Sequence, residues 1–174
     1  MRASIKLSGK LYEDITADLD RPHPFASERV GFALGRITQT SGESAVVLLS
    51  GYHVIPDEQY VDDPKVGARI SRDAIVWATQ AAYYGRSKYE GVFHVHRHDM
   101  YGETGMSIVD RHEIPALVKG FQVVSRNAAH GIIVLSYNHG SAWVLAPNGV
   151  ELAPVSTISV IGSPLRVFAT RRKW

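Results

Sequence analysis

Short apolar runs of strand length alternate along this chain with stretches in which apolar residues recur at helical spacing. This mixed order is the sequence feature that most limits the possible fold. Leu11, Ile15 and Leu19 recur every four residues, which is typical of an amphipathic helix. The run Ser44–Ile55 is apolar and rich in valine and leucine, which favours a strand. Helices interleaved with strand hairpins predict an α+β fold, in which helices flank a mixed sheet.

The apolar spacing and the turn residues predict seven strands and three helices. The predicted strands are Ala3–Leu7, Glu28–Thr38, Ser44–Ile55, Val92–His96, Ile132–Leu135, Ala142–Leu145 and Ile158–Ile161. The predicted helices are Gly9–Asp20 after Ser8, a helix capped by Ser71 and ended by Gly85, and a helix that begins at Pro115 after a separate turn at Ser107. The predicted loops are Arg21–Phe25, the turn at residues 41–44, Pro56–Gly67 and Arg97–Gly105.

The chain has 174 residues, enough for a complete apolar core, so we predict one domain over residues 1–174 with a short basic tail at about 169–174. Its 19 lysines and arginines nearly balance 17 acidic residues, which argues against a dedicated nucleic-acid surface. No apolar run reaches membrane-spanning length, and the N-terminus lacks the pattern of a signal peptide. We therefore expect a cytoplasmic protein that acts away from membranes.

Cysteine is absent, which excludes disulfides, cysteine-zinc sites, iron–sulfur clusters and cysteine nucleophiles. Any metal must be held by carboxylates and by some of the eight histidines. The densest group of such residues lies in Phe93–Glu113. His94 and His96 are two residues apart on a predicted strand, so both imidazoles lie on one face of the sheet. Ser107 and Asp110 are three residues apart on a helical turn, which places them on one side of it.

Two imidazoles and one carboxylate are the usual protein ligands of a catalytic zinc ion, with water in the fourth position. Such a site also needs a carboxylate that is not a ligand, because the proton of the water must be taken up and passed to the leaving group. Glu28 is a candidate, since it begins an apolar strand where a carboxylate is out of place without a partner.

The pattern Glu … His-x-His-x(10)-Ser-x-x-Asp resembles the JAMM signature of the MPN-domain (JAB-type) zinc metalloproteases. The run from Glu28 to Gly35, ERVGFALG, is similar to the first core strand of that family. The element order also agrees, over roughly Leu7 to Gly162. Three features depart from the common pattern: Val95 stands where the family usually has Ser or Thr, Arg97 stands where it usually has Pro, and the loop before Ser107 is longer than in the commonest version.

The resemblance implies a single MPN domain, related to the cytidine-deaminase fold, with one zinc ion. His94, His96 and Asp110 would ligate the zinc. Glu28 would be the general acid/base, and Ser107 would stabilise the tetrahedral intermediate by a hydrogen bond.

The same resemblance implies the substrate. The family cleaves isopeptide or peptide bonds after the C-terminus of ubiquitin or ubiquitin-like proteins, and bacterial relatives occur beside E1-like and ubiquitin-like partners. We expect a bacterial deubiquitinase-like enzyme that deconjugates or processes a ubiquitin-like protein, with E1/E2-like proteins in the same pathway. The substrate tail is expected to bind by strand addition along the sheet edge next to the metal. The short loop Pro56–Gly67 does not indicate selectivity for one ubiquitin linkage.

Other interpretations remain open for single residues. Glu28 would otherwise be an exposed strand charge, Ser107 a helix cap, and Asp110 an acidic residue favoured by the helix dipole. His98 is expected to face the substrate or the surface, because a loop follows the strand. Four histidines are predicted to be ordinary surface or turn residues: His23, His53, His130 and His139. The lesser candidates near the cluster are Asp99, Glu103, His112 and Glu113. The aromatic residues assigned to the core or a helix face are Trp77, Tyr83, Tyr84 and Tyr89.

Three other functions compete with this hypothesis. A metallo-β-lactamase carries a similar histidine string, but its Asp and last His stand in the opposite order. A cupin also begins with His-x-His, but its Glu follows sooner than Glu103 does here. From a different class, a non-catalytic MPN scaffold would bind partner proteins, although such scaffolds generally lack the metal ligands that this chain retains.

Overall fold

The computed structural model describes residues 2–39, 44–85 and 90–169. Within these ranges the chain forms a mixed sheet and three α-helices. The strands are β1 (Arg2–Ser8), β2 (Val30–Gln39), β3 (Ser44–Val54), β4 (Glu90–Arg97), β5 (His130–Leu135), β6 (Gly140–Leu145), β7 (Ala153–Pro154), β8 (Thr157–Ile161) and β9 (Arg166–Ala169). The helices are α1 (Gly9–Leu19), α2 (Arg72–Gly85) and α3 (Ile108–Val124).

All nine of these strands belong to one sheet, in the order β7-β6-β5-β4-β2-β3-β1-β8-β9. The central pair β2 and β4 is antiparallel, β4 runs parallel to β5, and β1 runs parallel to both β3 and β8. The predicted α+β class, a mixed sheet with helices packed on it, is therefore confirmed. The edges of the sheet are β7 and β9, so β2 and β4 lie in its interior.

The two faces of the sheet are covered by different helices, and the alternation along β4 follows this division. Phe93 and Val95 pack in the same apolar cluster as Ile15 of α1. Val92 packs on the opposite face with Ala78 of α2. Because side chains alternate along a strand, the even-numbered residues of β4 face α2 and α3. The histidines of β4 are even-numbered and therefore share the face of these two helices.

Helix α3 differs from its prediction, because it runs without a break from Ile108 through Pro115. Proline removes its own N–H from the helix ladder, and its ring crowds the carbonyl four residues earlier, but the burial of the apolar residues around it keeps the helix on the sheet. Ile114, Val118 and Phe121 are all buried, so the first turn at Ser107 and the later segment form one helix.

Several boundaries also differ from those predicted. Strand β2 begins at Val30, so Glu28 precedes the strand that it was expected to begin. The short strands β7 and β9 were not predicted, and β9 takes in Ala169 at the start of the expected tail. The predictions for residues 41–43, Tyr89 and the tail after Ala169 lie outside the described residues. No helix in the described ranges is long and apolar enough to cross a membrane.

Candidate metal centre

Three histidines lie in succession on one face where β4 ends. In the ladder between β2 and β4, His94 pairs with Phe32 and His96 with Val30. The N–H of His98 donates to the carbonyl of Leu135 at 3.0 Å, so the chain stays attached to β5 for one residue beyond β4. This attachment keeps the strand-like alternation, and His98 therefore joins the face that it was expected to leave.

The start of α3 supplies a carboxylate to the same place through a capping box. The hydroxyl of Ser107 accepts a hydrogen bond from the N–H of Asp110 at 3.1 Å, and Oδ2 of Asp110 accepts one from the N–H of Ser107 at 2.8 Å. The pair satisfies two backbone donors of the helix terminus. Ser107 is thus the helix cap, as one interpretation of the sequence held, and the cap fixes the direction of the Asp110 carboxylate.

Three possible ligand atoms converge between β4 and α3. Nε2 of His96 lies 3.2 Å from Nε2 of His98 and 3.5 Å from Oδ2 of Asp110. Nε2 of His98 lies 3.9 Å from the same oxygen. A tetrahedral zinc ion with bonds of about 2.0–2.2 Å holds its ligand atoms roughly 3.3–3.6 Å apart. The two distances from Nε2 of His96 lie near this range, and the distance from His98 to Asp110 is a few tenths of an ångström longer, so a small movement of the side chains would bring these nitrogen and oxygen donors to zinc geometry.

Glu28 completes the group from the side of β2. A carboxylate oxygen of Glu28 and one ring nitrogen each of His96 and His98 all lie within 4.8 Å of one another, and these three residues could hold a metal ion. The N–H of Glu28 donates to the carbonyl of Gly67 at 3.1 Å. A Cβ atom at Gly67 would lie 2.7 Å from Cδ of Glu28, so the absence of a side chain there leaves room for the carboxylate.

The electrostatics of the group favour neutral imidazoles and an ionised carboxylate. Burial, together with the neighbouring His96, lowers the pKa of His94 to about 3. Burial also lowers the pKa of His98. Burial by itself would raise the pKa of the Asp110 carboxyl, but its hydrogen bonds with His96 and Ser107 outweigh that effect and lower the pKa. Neutral imidazole and ionised carboxylate are the forms that bind a metal.

His94, which the family resemblance implies as a ligand, lies next to His96, with 5.3 Å between the two ring centroids. It is 92% buried, and its ring stands edge-on to Phe32 at 6.0 Å between centroids. It lines the groove, but it is not in the group formed by Glu28, His96 and His98. Its Nδ1 atom is buried and has no hydrogen-bond partner among the described residues.

Sequence reasoning placed His98 in a loop, yet the structure brings it among the candidate ligands. The period-two repeat of His94, His96 and His98 was the signal that could have identified it. The glycine and polar residues after His98 hid that signal, because they indicate a loop and not a strand. Only the hydrogen bond to Leu135 shows that the alternation extends one residue further.

The expectation for His130 was wrong, because this residue is fully buried in β5. Its Nδ1 accepts a hydrogen bond from the N–H of Val92 at 3.1 Å, and its Nε2–H donates to the carbonyl of Ser125 at 3.0 Å. Burial lowers its pKa, so the ring is neutral. His53 is half-buried and stacks on Trp77 with 3.4 Å between ring centroids. Both histidines have structural contacts away from the candidate metal centre.

A groove of about 740 Å³ opens beside the candidate ligands. One wall is the loop that carries Lys65 and Gly67, and the other is the first part of α3 with Val109 and Leu117. The groove borders the interior strands β2 and β4, so no edge strand of the main sheet reaches it. The nearest extended backbone is the short pairing of Tyr60 with Ile70 in the loop wall.

Neither a scan against models of known protein families nor a search of curated proteins finds a match to this chain.

Proposed function

We propose that this chain is a zinc-dependent hydrolase of the JAMM/MPN type, an isopeptidase or peptidase that cleaves after the C-terminus of a ubiquitin-like protein. The observation that carries the proposal is the convergence of ligand atoms of His96, His98 and Asp110 to within 3.2–3.9 Å of one another, with the Glu28 carboxylate beside them. When bound, a zinc ion would supply a water of lowered pKa and would polarise the scissile carbonyl.

The geometry favours a ligand set shifted by two residues from the one that the resemblance implies. We assign the ligands as His96, His98 and Asp110, because their ligand atoms already lie 3.2–3.9 Å apart. His94 would then not bind the metal itself but would lie beside the ligand His96. Eight residues separate His98 from Ser107, whereas ten separate His96 from Ser107. The order His-x-His, then Ser-x-x-Asp, is the same for both ligand sets.

Glu28 is assigned as the general acid/base. Its carboxylate would accept a proton from the attacking water and return it to the leaving nitrogen, which leaves as an amine. The close approach of Gly67 limits where this carboxylate can lie, and a fixed position is what proton transfer over hydrogen-bond distance requires.

Ser107 is assigned to the oxygen that gains charge during the attack. Its hydroxyl oxygen accepts the hydrogen bond of the helix cap, which leaves the hydroxyl proton able to donate. A donor aimed at the developing oxyanion lowers the barrier of acyl transfer. Because the cap and the oxyanion use different parts of the hydroxyl group, Ser107 can serve both.

The groove favours an extended peptide as the substrate. Its walls combine apolar residues, among them Val30, Ile70 and Leu117, with charged residues such as Lys65. The main sheet offers no edge here, so strand addition would use the backbone of the loop wall near Ile70. Small residues before the scissile bond would let the tail pass between this loop and α3.

The test combines metal content with cleavage. Plasma mass spectrometry on untagged protein is expected to find about one zinc per chain. Ubiquitin-like proteins that carry a C-terminal peptide extension are expected to be cut after their own last residue. Glu28→Gln keeps the shape of the side chain and should retain zinc while losing cleavage. Absence of metal after zinc is added back would overturn the proposal, and unchanged cleavage by Glu28→Gln would overturn the assignment of the base.

A further inference from the structure

One of the three histidines at the end of β4 has a partner for its second ring nitrogen. Nδ1 of His98 lies 3.1 Å from the hydroxyl oxygen of Thr104. The corresponding Nδ1 atoms of His94 and His96 are buried without a hydrogen-bond partner among the described residues. Histidines that bind metals almost always donate their other N–H to a neighbouring acceptor.

We propose that Thr104 is a positioning residue for His98: its hydroxyl accepts the Nδ1–H hydrogen bond and so directs the Nε2 lone pair towards His96 and Asp110. The inference rests on the proposed function in one respect only: zinc is taken as the ion that this lone pair would bind. The orientation of the ring is a property of the chain itself.

The distances around Nε2 of His98 support this tautomer. A neutral imidazole carries one proton, so one nitrogen donates and the other accepts. Nε2 of His96 lies 3.5 Å from Oδ2 of Asp110, which favours a proton on that nitrogen of His96. Two N–H groups cannot face each other at the 3.2 Å that separates the two Nε2 atoms. This arrangement favours a proton on Nδ1 of His98, and the hydroxyl of Thr104 is the acceptor that holds it there.

Thr104 is held in place by the neighbouring strands. Its carbonyl accepts a hydrogen bond from the hydroxyl of Ser141 at 2.8 Å. Two residues earlier, the carbonyl of Gly102 accepts one from Ser136 at 2.7 Å, and the N–H of Gly102 donates to Asn138 at 2.6 Å. These bonds attach the segment between His98 and α3 to β5, β6 and their connection. The hydroxyl of Thr104 therefore has a fixed location from which to orient the ring.

The first experiment reads the tautomer in metal-free protein. Long-range ¹H–¹⁵N correlation spectra are recorded at about pH 8, well above the ordinary imidazole pKa of roughly 6.5. His98→Gln identifies the signals of His98. Wild type and Thr104→Ser are expected to show the Nδ1–H form, and Thr104→Val is expected to lose it. An Nε2–H form in the wild type, or an unchanged tautomer in Thr104→Val, would overturn the proposal.

The second experiment measures zinc affinity by competition with a chelating dye. Loss of a hydrogen bond behind a ligating histidine typically lowers metal affinity about 10–100-fold. We expect a decrease of this size in Thr104→Val, near wild-type affinity in Thr104→Ser, and no change in the matched variant Thr16→Val on α1. Among the described residues, the hydroxyl of Thr16 donates only to carbonyls of its own helix, those of Tyr12 and Glu13. Equal affinity in wild type and Thr104→Val would overturn the role of Thr104.

These results are independent of peptide cleavage. If the tautomer and the zinc affinity respond as expected but no ubiquitin-like substrate is cut, the proposed function fails while the role of Thr104 is supported. If cleavage is found but the tautomer does not depend on Thr104, the proposed function is supported and the positioning role is overturned.

Discussion

The two ends of α3 each face a buried histidine of the sheet, and the two histidines are bonded in opposite ways. At the C-terminal end, both ring nitrogens of His130 have backbone partners, the N–H of Val92 and the carbonyl of Ser125. At the N-terminal end, His96 has a buried nitrogen with no partner among the described residues and another that faces His98 and Asp110. Burial alone therefore does not show whether a histidine nitrogen is open to a metal ion; the hydrogen bonds of both nitrogens must be known as well.

The difference has a physical basis. A buried imidazole with both nitrogens bonded has no capacity left for a ligand, and replacing it leaves two backbone groups unpaired. The nitrogens at the other end of α3 point at one another, which is favourable only when a proton or a metal ion lies between them. The following predictions test this contrast between the two ends of the helix.

The largest effect is expected from removing the two central candidate ligands. His96→Ala combined with His98→Ala should lower zinc affinity by more than about 1,000-fold, which corresponds to about 4 kcal/mol. Loss of a supporting hydrogen bond costs only about 10–100-fold. Competitive titration with a chelating dye would measure the change. His94→Gln is the comparison, and we expect it to stay within about tenfold of wild type. A loss in His94→Gln as large as that in the double variant would restore His94 to the ligand set.

At the other end of the helix, His130→Ala should leave zinc binding intact and destabilise the fold. The N–H of Val92 and the carbonyl of Ser125 would lose their partner, and each unpaired buried group costs about 1–3 kcal/mol. We expect the free energy of unfolding to fall by about 2–4 kcal/mol in urea denaturation. A variant that unfolds at the wild-type urea concentration would show that His130 is not the structural residue described here.

A smaller effect is expected from Gly67→Ala, which tests the position of Glu28. The backbone at Gly67 can accept alanine, but the new Cβ would clash with the Glu28 carboxylate. A displacement of this kind should lower turnover about tenfold, or about 1.4 kcal/mol, with zinc content unchanged. Gly120→Ala is the matched control, because a Cβ there meets nothing within 4 Å. Lower zinc content in Gly67→Ala would instead indicate that Glu28 is a ligand.

The smallest effect is a dependence of stability on pH. Burial lowers the pKa of His130 in the folded state, so the unfolded chain takes up this proton first as the pH falls. The stability that the neutral His130 ring contributes is fully present above the ordinary imidazole pKa of about 6.5, and it is lost progressively as the pH falls below that value. Urea denaturation with a chelator present should show lower stability at about pH 5.5 than at pH 7.5, by roughly 1 kcal/mol or less per such histidine. If the stability of His130→Ala changes less between these two pH values than that of wild type, part of the pH dependence belongs to this ring.

Much of the fold could be predicted from the sequence, because it depends on local periodicity. The four-residue repeat of Leu11, Ile15 and Leu19 predicted α1, and Ser71 with Gly85 bounded α2 closely. Proline at position 115 was misleading, since the burial of Ile114 and Val118 outweighs the loss of one hydrogen bond. The short strands β7 and β9 carry too few residues to show a period of their own.

The sequence by itself determined the chemistry available to this protein: histidines at period two, a Ser-x-x-Asp turn, a glutamate ahead of an apolar strand, and no cysteine. It could not decide which histidines meet the carboxylate, because that depends on where β4 ends relative to β5 and on how α3 is capped. The hydrogen bond from His98 to Leu135 and the capping box of Asp110 decided it. The capping box is local, but His98 and Leu135 are distant in sequence, and the start of α3 reaches the end of β4 only when α3 packs on the sheet. Only the tertiary structure therefore brings these atoms together.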